Sequence, residues 1–336
     1  MRAARLSPGG TPRTPRGRAD SAAFPGTPRT PARISALRLP SARIAIVILT
    51  LIAVATAFGA VLAPQSPLAI DPGALFQGPS PRHLLGTDYL GRDELSRLLA
   101  GTRLSVATAL EAVGIGLVLG APLGIGCVFV GRWFDFAANR VADALMTLPY
   151  LFFAVAVTAA LGNGLVQAML PVGLLLAPGY FRITRAATLE FGRAQYVEAA
   201  TLLGASKPYL IRVHVLRKVL PTITVTTATL TGAALLSVSF LTFLGIGVQP
   251  PTPTWGGVLS SDLNYLNLAP WAPFIPGALI AVTVGALNAL ADAFRDRAGA
   301  GTLALPELTS PEASAAASTV PGTGGPVTSE EVADAA

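Results

Sequence analysis

The sequence predicts an all-α integral membrane protein with six transmembrane helices. Two observations carry this prediction. Hydrophobic residues fill 52% of the 336 positions and charged residues only 12%, whereas a soluble globular chain has about 25% charged residues. The apolar residues also gather into segments long enough to cross a bilayer core of about 30 Å. The single cysteine, Cys127, lies inside one of these segments, which excludes an intramolecular disulfide and offers no metal cluster.

Six apolar segments are the predicted spans, and a tail without hydrophobic periodicity flanks them at each end. The spans cover about residues 44–62, 105–130, 141–161, 165–181, 222–247 and 271–294. Residues 1–42 are basic and rich in Pro, Thr, Gly and Ser, and residues 298–336 are rich in Ala, Ser, Thr, Gly and Pro. Such compositions predict disordered tails, so the membrane domain is expected at residues 43–297.

The segments between the spans carry their own structural signals. Residues 131–140 are expected to form a short loop between the second and third spans. In residues 248–257, Pro250, Pro251 and Pro253 exclude a helix, because proline lacks a backbone N–H and clashes with the preceding turn. The second span contains five glycines, which predicts that neighbouring helices approach its backbone closely.

The positions of the positive charges predict which ends face the cytoplasm. Of the 24 Lys and Arg, 20 lie in the N-terminal tail, in residues 131–140, in residues 182–221 or at the C-terminal end. The other four lie in residues 82–103. Because cytoplasmic segments carry an excess of Lys and Arg, both termini and the 182–221 segment are expected in the cytoplasm.

A basic polar segment between the fourth and fifth spans, residues 195–221, predicts a helical hairpin on the membrane surface. Its first half is a good helix former, and Gly204 is well placed just after the helix end. Ser206 is suited to cap a second helix, with Pro208 tolerated in the first turn because its missing N–H is not needed there. The second helix has an apolar stripe at steps of three and four residues, formed by Leu210, Val213, Leu216 and Leu220.

This segment also resembles the EAA loop of the permease subunits of ABC importers, and we call residues 195–221 the EAA-like hairpin. The residues that carry the resemblance are Glu198, Ala199, Ala200, Gly204, Ile211, His214, Leu220 and Pro221. One position departs from the pattern, since Arg217 stands where family members usually have proline. The departure predicts that the second helix runs longer or straighter than usual.

Two further segments resemble one subfamily of these permeases, which serves dipeptides, oligopeptides and nickel. Residues 86–105 are similar to its GTDxxGRDxxSRxxxGxRxSL signature, and residues 244–257 to its FLGLGVQPPxPSWG segment. Taken alone, the first of these segments is interpreted as a surface helix with ion pairs between neighbouring turns, each worth a few tenths of a kcal/mol. A specific role in closing an outer gate is the alternative.

The resemblance implies the fold and the partners. The expected fold is the type I, MetI-like permease architecture, and the expected function is that of the second, C-type permease of an ATP-driven importer in a bacterial cell membrane. Its substrate would be di- or oligopeptides or a related solute, with nickel or metal chelates as the alternative. The implied partners are a second permease, two ATPase subunits and an extracytoplasmic solute-binding protein, with lipid around the chain and no nucleic acid. ATP and Mg²⁺ would be used by the ATPases, and this chain would bind no cofactor.

The resemblance also assigns roles within the EAA-like hairpin. Glu198 would make a polar contact with an ATPase, while Ala199, Ala200, Gly204 and Ala205 would fit its groove. Without the motif, Glu198 would be interpreted as a solvated loop residue. His214 is expected to pack or hydrogen-bond within the hairpin, because a single histidine without a companion ligand rarely holds a metal.

An enzymatic function has little support in the residues. The chain contains no His-Glu-x-x-His motif and no carboxylate pair at a catalytic spacing. A phosphate-binding P-loop needs lysine after glycine, whereas the two lysines follow Ser206 and Arg217. ATP hydrolysis is therefore expected in another polypeptide.

Three carboxylates in or near the spans keep a different class of transporter open. Asp143 and Asp292 are expected to form ion pairs at the membrane interface beside Arg140 and Arg295. Glu111 lies deeper, where carboxylates usually face the bundle interior or water, and a hydrogen bond to another helix is the preferred interpretation. Proton coupling at Glu111 would instead make the chain an ATP-independent secondary transporter. A membrane scaffold that only docks a cytoplasmic protein is the second alternative. Candidates for the pathway or its outer gate are Glu111, Gln249 and Trp255.

Overall fold

The computed structural model of the protein describes residues 40–162, 164–192 and 194–299. Regular structure in these ranges is helical, apart from one isolated antiparallel bridge between Thr87 and Asp93. The helices are α1 (Pro40–Leu62), α2 (Glu94–Val130), α3 (Arg132–Thr147), α4 (Tyr150–Leu161), α5 (Leu165–Gly192), α6 (Gln195–Leu202), α7 (Lys207–Tyr209), α8 (Leu216–Phe243), α9 (Trp255–Leu263) and α10 (Phe274–Gly299). A π-helical turn, Leu210–Val215, joins α7 to α8. The predicted tails lie outside the described residues, except where α1 begins and α10 ends.

Five helical segments in the described ranges are long and apolar enough to cross a membrane. They are Ser41–Leu62, Glu94–Val130, Leu165–Gly192, Lys207–Phe243 and Phe274–Arg297. A sixth crossing is present if α3 and α4 form one bent span. The fold is therefore the all-helical, multi-pass membrane fold that the sequence predicts, with several helices longer than the predicted spans.

The region around the third span differs from the sequence prediction. Residues 132–140 were expected in a loop, but they form the first turns of α3. The helix then ends at Thr147, and the chain bends by 95° into α4. Leu148 and Pro149 are extended at this point, because proline cannot continue a helix and disfavours the helical conformation in the residue before it.

The polar residues of α3 explain why this helix was interpreted as a loop. Asp135 accepts two hydrogen bonds from the Arg185 guanidinium of α5, at 2.5 and 2.7 Å. Asp143 pairs with Arg182 at 2.5 Å. The polar face of α3 thus packs on α5, and partners from a distant helix compensate the charges that made the segment look solvated.

Close contact between α2 and α5 forms the centre of the bundle. A Cβ atom at Gly120 would overlap the carbonyl oxygen of Ala177, and one at Gly124 would overlap Thr184. The two backbones are therefore as close as the glycines of the second span predict. Tyr180 is fully buried at this contact, and its hydroxyl lies 3.1 Å from Thr227 Oγ1 of α8.

Candidate functional site

The EAA-like hairpin turns at Gly204, as the sequence predicts. The backbone of Gly204 has a φ of +86°, a left-handed conformation that glycine adopts without steric cost. Its N–H donates to the carbonyl of Thr201, and the N–H of Ala205 donates to that of Ala200, both at 3.0 Å. These bonds close the end of α6. No heavy atom lies within 4 Å of a Cβ built at Gly204, so conformation alone requires glycine there.

Several contacts hold the hairpin against the membrane bundle. Val197 is buried on the inner side of α6, and Leu210 and Val215 are buried in the π-helical turn. The Lys207 ammonium donates to the carbonyl of Phe129, in the last turn of α2, at 3.1 Å. The hairpin is therefore joined both to α8, by continuous helix, and to the end of α2.

His214 lies half-buried inside the hairpin. Its ring meets the Tyr209 ring edge-on at a centroid distance of 5.9 Å. Among the described residues, no group of three or more His, Cys, Asp or Glu is placed to hold a metal ion. The position fits the packing role that the sequence analysis favours.

The outward side of the hairpin is exposed and partly apolar. Glu198 and Ala199 are exposed, and Ala200 and Ala205 are half-buried. Beside them Leu202 and Leu203 are 84% and 88% exposed, and the sequence analysis assigned neither leucine a role. Large apolar side chains grouped on a surface are typical of a contact with another protein. In the sequence, this apolar surface was indicated only by the two leucines directly before the turn glycine, Gly204.

Arg217 does not interrupt the second helix of the hairpin. The chain is helical from Lys207 to Phe243, with the π-helical turn just before Leu216 and a proline, Pro221, inside α8. The second helix of the hairpin therefore continues into the membrane bundle as part of one helical segment. Arg217 itself is exposed.

The start of α2 carries a group of buried polar residues, which we call the outer polar cluster. Its members are His83, Asp88, Arg92, Asp93, Glu94, Arg97 and Asp262. Asp88 Oδ2 accepts hydrogen bonds from Arg92 Nε at 2.7 Å and from Arg97 Nη1 at 2.6 Å. Asp93 caps α2 by accepting from the N–H and the hydroxyl of Ser96, at 2.9 and 2.6 Å.

This cluster corrects the interpretation of residues 86–105 as a surface helix. Asp88 and Arg92 precede α2, and neither they nor Arg97 are more than 5% exposed. His83 contacts Asp93 from the preceding loop, with Nδ1 3.1 Å from Oδ1. The charges are spaced as in a helix, but they fasten the irregular chain before α2 to the first turns of that helix.

Two further carboxyl groups meet behind these ion pairs. Glu94 belongs to the first turn of α2 and Asp262 to α9, and each lies in the electrostatic field of the other. Both are buried, and burial raises the pKa of Asp262 to about 6, with Arg97 opposing the rise.

A cavity of about 340 Å³ adjoins the outer polar cluster, and we call it the outer cavity. The last turn of α8, the following proline-rich loop and α9 form most of its wall. Arg92, Arg97 and Tyr89 complete it from the side of α2. The proline-rich loop is non-helical up to Thr254, as predicted, but α9 already begins at Trp255.

The residues proposed for the outer gate lie apart from one another. Trp255 is fully buried, and its Nε1 donates to the carbonyl of Leu98 at 3.3 Å, so this side chain holds α9 on α2. Gln249 is exposed on the proline-rich loop. Glu111 is half-buried in the middle of α2, with no ion pair to any described residue.

Of the two interfacial carboxylates, one has the predicted partner. Asp292 pairs with Arg295 at 3.1 Å. Asp143 pairs with Arg182 of α5 and not with Arg140, whose guanidinium lies over the Phe136 ring at 5.2 Å. The prediction for Asp143 was wrong because each of the two residues has another partner, Arg182 of α5 for Asp143 and the Phe136 ring for Arg140.

These features define a multi-pass, all-helical membrane protein that exposes a structured hairpin between two of its spans. The chain belongs to the family of binding-protein-dependent transport system inner membrane components, which matches residues 112–300. It is a permease subunit of an ABC transport system. The matched range includes the EAA-like hairpin and α9.

Relatives that match this chain are permease subunits by name. The di/tripeptide transport system permease protein DppC of Pseudomonas aeruginosa (strain UCBPP-PA14) is 39% identical, over 68% of this chain and 75% of its own length. The probable D,D-dipeptide transport system permease protein DdpC of Escherichia coli (strain K12) is 36% identical, over 74% and 84%. The glutathione transport system permease protein GsiD of Pectobacterium atrosepticum is 34% identical, over 67% and 75%.

Proposed function

We propose that this chain is the C-type permease of an importer for di- or oligopeptides, and that its EAA-like hairpin docks an ATPase subunit. The observation that carries the proposal is the exposed surface of α6. It combines the carboxylate of Glu198 with the apolar side chains of Leu202 and Leu203, and Gly204 turns the chain directly into the next helix. The relatives named for dipeptide, tripeptide and glutathione transport support peptides as the substrate class.

The hairpin is suited to act as a lever. From Lys207 to Phe243 the chain is helical over 37 residues, about 55 Å at 1.5 Å per residue. The docking surface on α6 is joined to this helix by the short turn at residues 203–206, and no loop separates Lys207 from the membrane bundle, so movement of the hairpin moves α8. Tyr180 joins α8 to α5, and ATP-driven closure of the ATPases would rotate these helices between inward- and outward-open states.

A contact between the hairpin and an ATPase could supply the free energy that the change between inward- and outward-open states requires. Moving a two-state equilibrium from 1:99 to 99:1 takes about 5.5 kcal/mol of differential binding. Burial of a leucine side chain contributes about 1.5–3 kcal/mol, so Leu202 and Leu203 together with nucleotide binding could supply it.

The proposal assigns the remaining chemistry to partner chains. This sequence has no Gly-Lys-Ser/Thr segment, so ATP and Mg²⁺ would bind to the ATPase subunits. The complete importer would contain a second permease, two ATPases and an extracytoplasmic binding protein that delivers the peptide. The hairpin and both termini would face the cytoplasm.

Substitutions in the hairpin test the docking surface. Glu198→Lys reverses the charge, and Gly204→Val places a β-branched residue at a φ of +86°, so both should abolish co-purification of the ATPases while membrane insertion stays normal. Glu190→Lys is the matched control, because Glu190 is exposed near the end of α5 but lies outside the hairpin. Normal co-purification of the ATPases with both hairpin variants would refute the assignment.

A further inference from the structure

The outer cavity has the size and walls of a binding site for a small molecule. Its volume of about 340 Å³ lies at the lower end of the range for ligand pockets, about 300–1,000 Å³. Its lining includes apolar residues, among them Phe243, Val248 and Pro251, which we call the apolar wall, and it also includes Arg92 and Arg97. A ligand with an aliphatic part and a polar end fits a cavity that has both apolar residues and arginines in its lining.

The arginine side of the cavity offers hydrogen-bond donors. Arg92 and Arg97 each give one short hydrogen bond to Asp88, although each guanidinium has five N–H donors. The distance from Arg97 Nη1 to Glu94 is 3.8 Å, too long for a hydrogen bond. Nε of Arg97 is buried and has no acceptor among the described residues.

The acidic members of the outer polar cluster lie behind the arginines and outside the cavity wall. Among the described residues that line the cavity, two are arginines and none is Asp or Glu. Both arginines are at most 5% exposed, so their charges act where water screens them little. A ligand in the cavity would meet the donors and not the carboxylates.

Aromatic rings hold this donor surface in place. Tyr89 and Tyr265 both line the cavity, and their rings stack at a centroid distance of 5.0 Å with 17° between the planes. The Arg92 guanidinium lies over the Tyr89 ring at 5.4 Å. Because Asp88 and Tyr89 both restrain Arg92, little side-chain entropy is lost when a ligand binds.

We propose that the outer cavity binds the C-terminal carboxylate of a short peptide. A guanidinium pairs with a carboxylate through charge-assisted hydrogen bonds, and the apolar wall would contact the side chain of the last residue. The inference rests on the proposed function, which makes peptides the substrate. It adds a site on the permease itself at the extracytoplasmic end of α2, where a peptide released by a binding protein would arrive.

A binding measurement on the full chain in lipid nanodiscs tests the site. Dialanine and dialanine amide differ only at the terminal carboxylate, and ligand-observed NMR titration would give the affinity of each. We expect the amide to bind at least tenfold more weakly, because it cannot form charge-assisted hydrogen bonds with the guanidinium groups. Arg92→Gln should weaken dialanine binding to a similar degree and leave the amide unchanged.

Two further variants separate the site from effects on folding. Arg82→Gln is the matched control, because Arg82 lies in the same outer segment but its side chain is 77% exposed; it should bind dialanine like the wild type. Ser260→Leu narrows the cavity from α9 without touching the ion pairs and should also weaken binding. Equal affinities for dialanine and its amide, or full dialanine binding by both Arg92→Gln and Ser260→Leu, would overturn the inference.

A third peptide distinguishes a peptide terminus from an acidic side chain of a partner protein. An acetylated and amidated Gly-Asp-Gly carries only an internal carboxylate and should bind at least tenfold more weakly than dialanine. Equal binding would overturn the assignment to a terminus.

ATP-dependent peptide uptake by the complete transporter is measured separately. If the transporter takes up peptide but the chain binds dialanine and the amide equally well, only this inference is contradicted. If binding depends on the carboxylate but no ATP-dependent uptake occurs, the proposed function is contradicted.

Discussion

Asp88 organises the outer polar cluster, because its carboxylate accepts hydrogen bonds from two buried arginines at once. Oδ1 of the same group accepts from the backbone N–H of Leu90 and of Arg92, both at 2.9 Å. Removing one partner of a buried ion pair typically costs about 3–5 kcal/mol, since the other charge is left uncompensated. The cluster therefore fixes the irregular chain before α2 and places Arg92 and Arg97 at the outer cavity.

The burial of a second residue, Asp262, predicts that the stability of the fold depends on pH. Burial raises its folded-state pKa from 3.8 to about 6; Arg97, Glu94 and Arg92 oppose the rise, and Asp88 adds to it. A folded-state pKa above the unfolded value means that protonation stabilises the fold. This contribution is complete below about pH 4 and is lost as the pH rises through about 6. Asp262→Asn cannot ionise and should flatten this part of the stability profile.

Thermal unfolding of the full chain in detergent, at pH 5 and at pH 7, would measure the effect. The wild type should lose more of its Tm between these two values than Asp262→Asn does. Asp71→Asn is the control, because the side chain of Asp71 is 44% exposed and should leave the wild-type profile unchanged. A profile that is the same in Asp262→Asn and in the wild type would show that this carboxyl group does not titrate as described.

At the scale of elements, local signals in the sequence predicted the EAA-like hairpin well. Gly204 marked the end of α6, and Ser206 with Pro208 marked the start of the second helix, which begins at Lys207. Both signals depend on backbone conformation within a few residues. The α3 helix was missed for the opposite reason, because its polar residues find their partners on α5, about 40 to 50 positions away along the chain.

The contact between α2 and α5 predicts different outcomes for two glycines of the same helix. A Cβ at Gly120 would overlap Ala177 and crowd Tyr180, whereas one at Gly114 meets nothing within 4 Å. Gly120→Val should destabilise the protein by about 1–3 kcal/mol or more, because the helices must separate. Gly114→Val makes the same change in intrinsic helix propensity as Gly120→Val, but it should change stability little.

Thermal unfolding and expression level in the membrane fraction would compare the two glycine variants. A lower Tm and a lower yield are expected for Gly120→Val alone. If both variants lost stability equally, helix propensity and not the close approach of α5 would explain the glycines of α2.

At the scale of the whole molecule, two long helices connect the proposed sites. α2 begins beside the outer cavity and ends at Val130, next to Phe129, whose carbonyl accepts from Lys207 of the hairpin. The continuous helix from Lys207 to Phe243 returns from the hairpin to the wall of the cavity. A change at the proposed ATPase contact would therefore reach the outer cavity along two continuous helices.

The sequence predicted the all-helical membrane class and the hairpin, because these depend on composition and on local spacing. It did not predict the outer cavity, since that site forms only when α9 packs against α2. The hydrogen bond from Trp255 to Leu98 joins residues 157 positions apart, and the Glu94–Asp262 pair is similarly distant in sequence. Without the folded chain, Glu94 and Arg97 could be interpreted only by their spacing on one helix.

The central claim is that peptide transport depends on ATPase subunits docked at the EAA-like hairpin. Peptide uptake by proteoliposomes tests it most directly, with this permease, its partner permease, the ATPases and the binding protein reconstituted together. Uptake should require ATP, and Glu198→Lys should abolish it while Glu190→Lys retains it. Uptake of the peptide by this chain alone, without ATP, would contradict the account and point to an ATP-independent transporter.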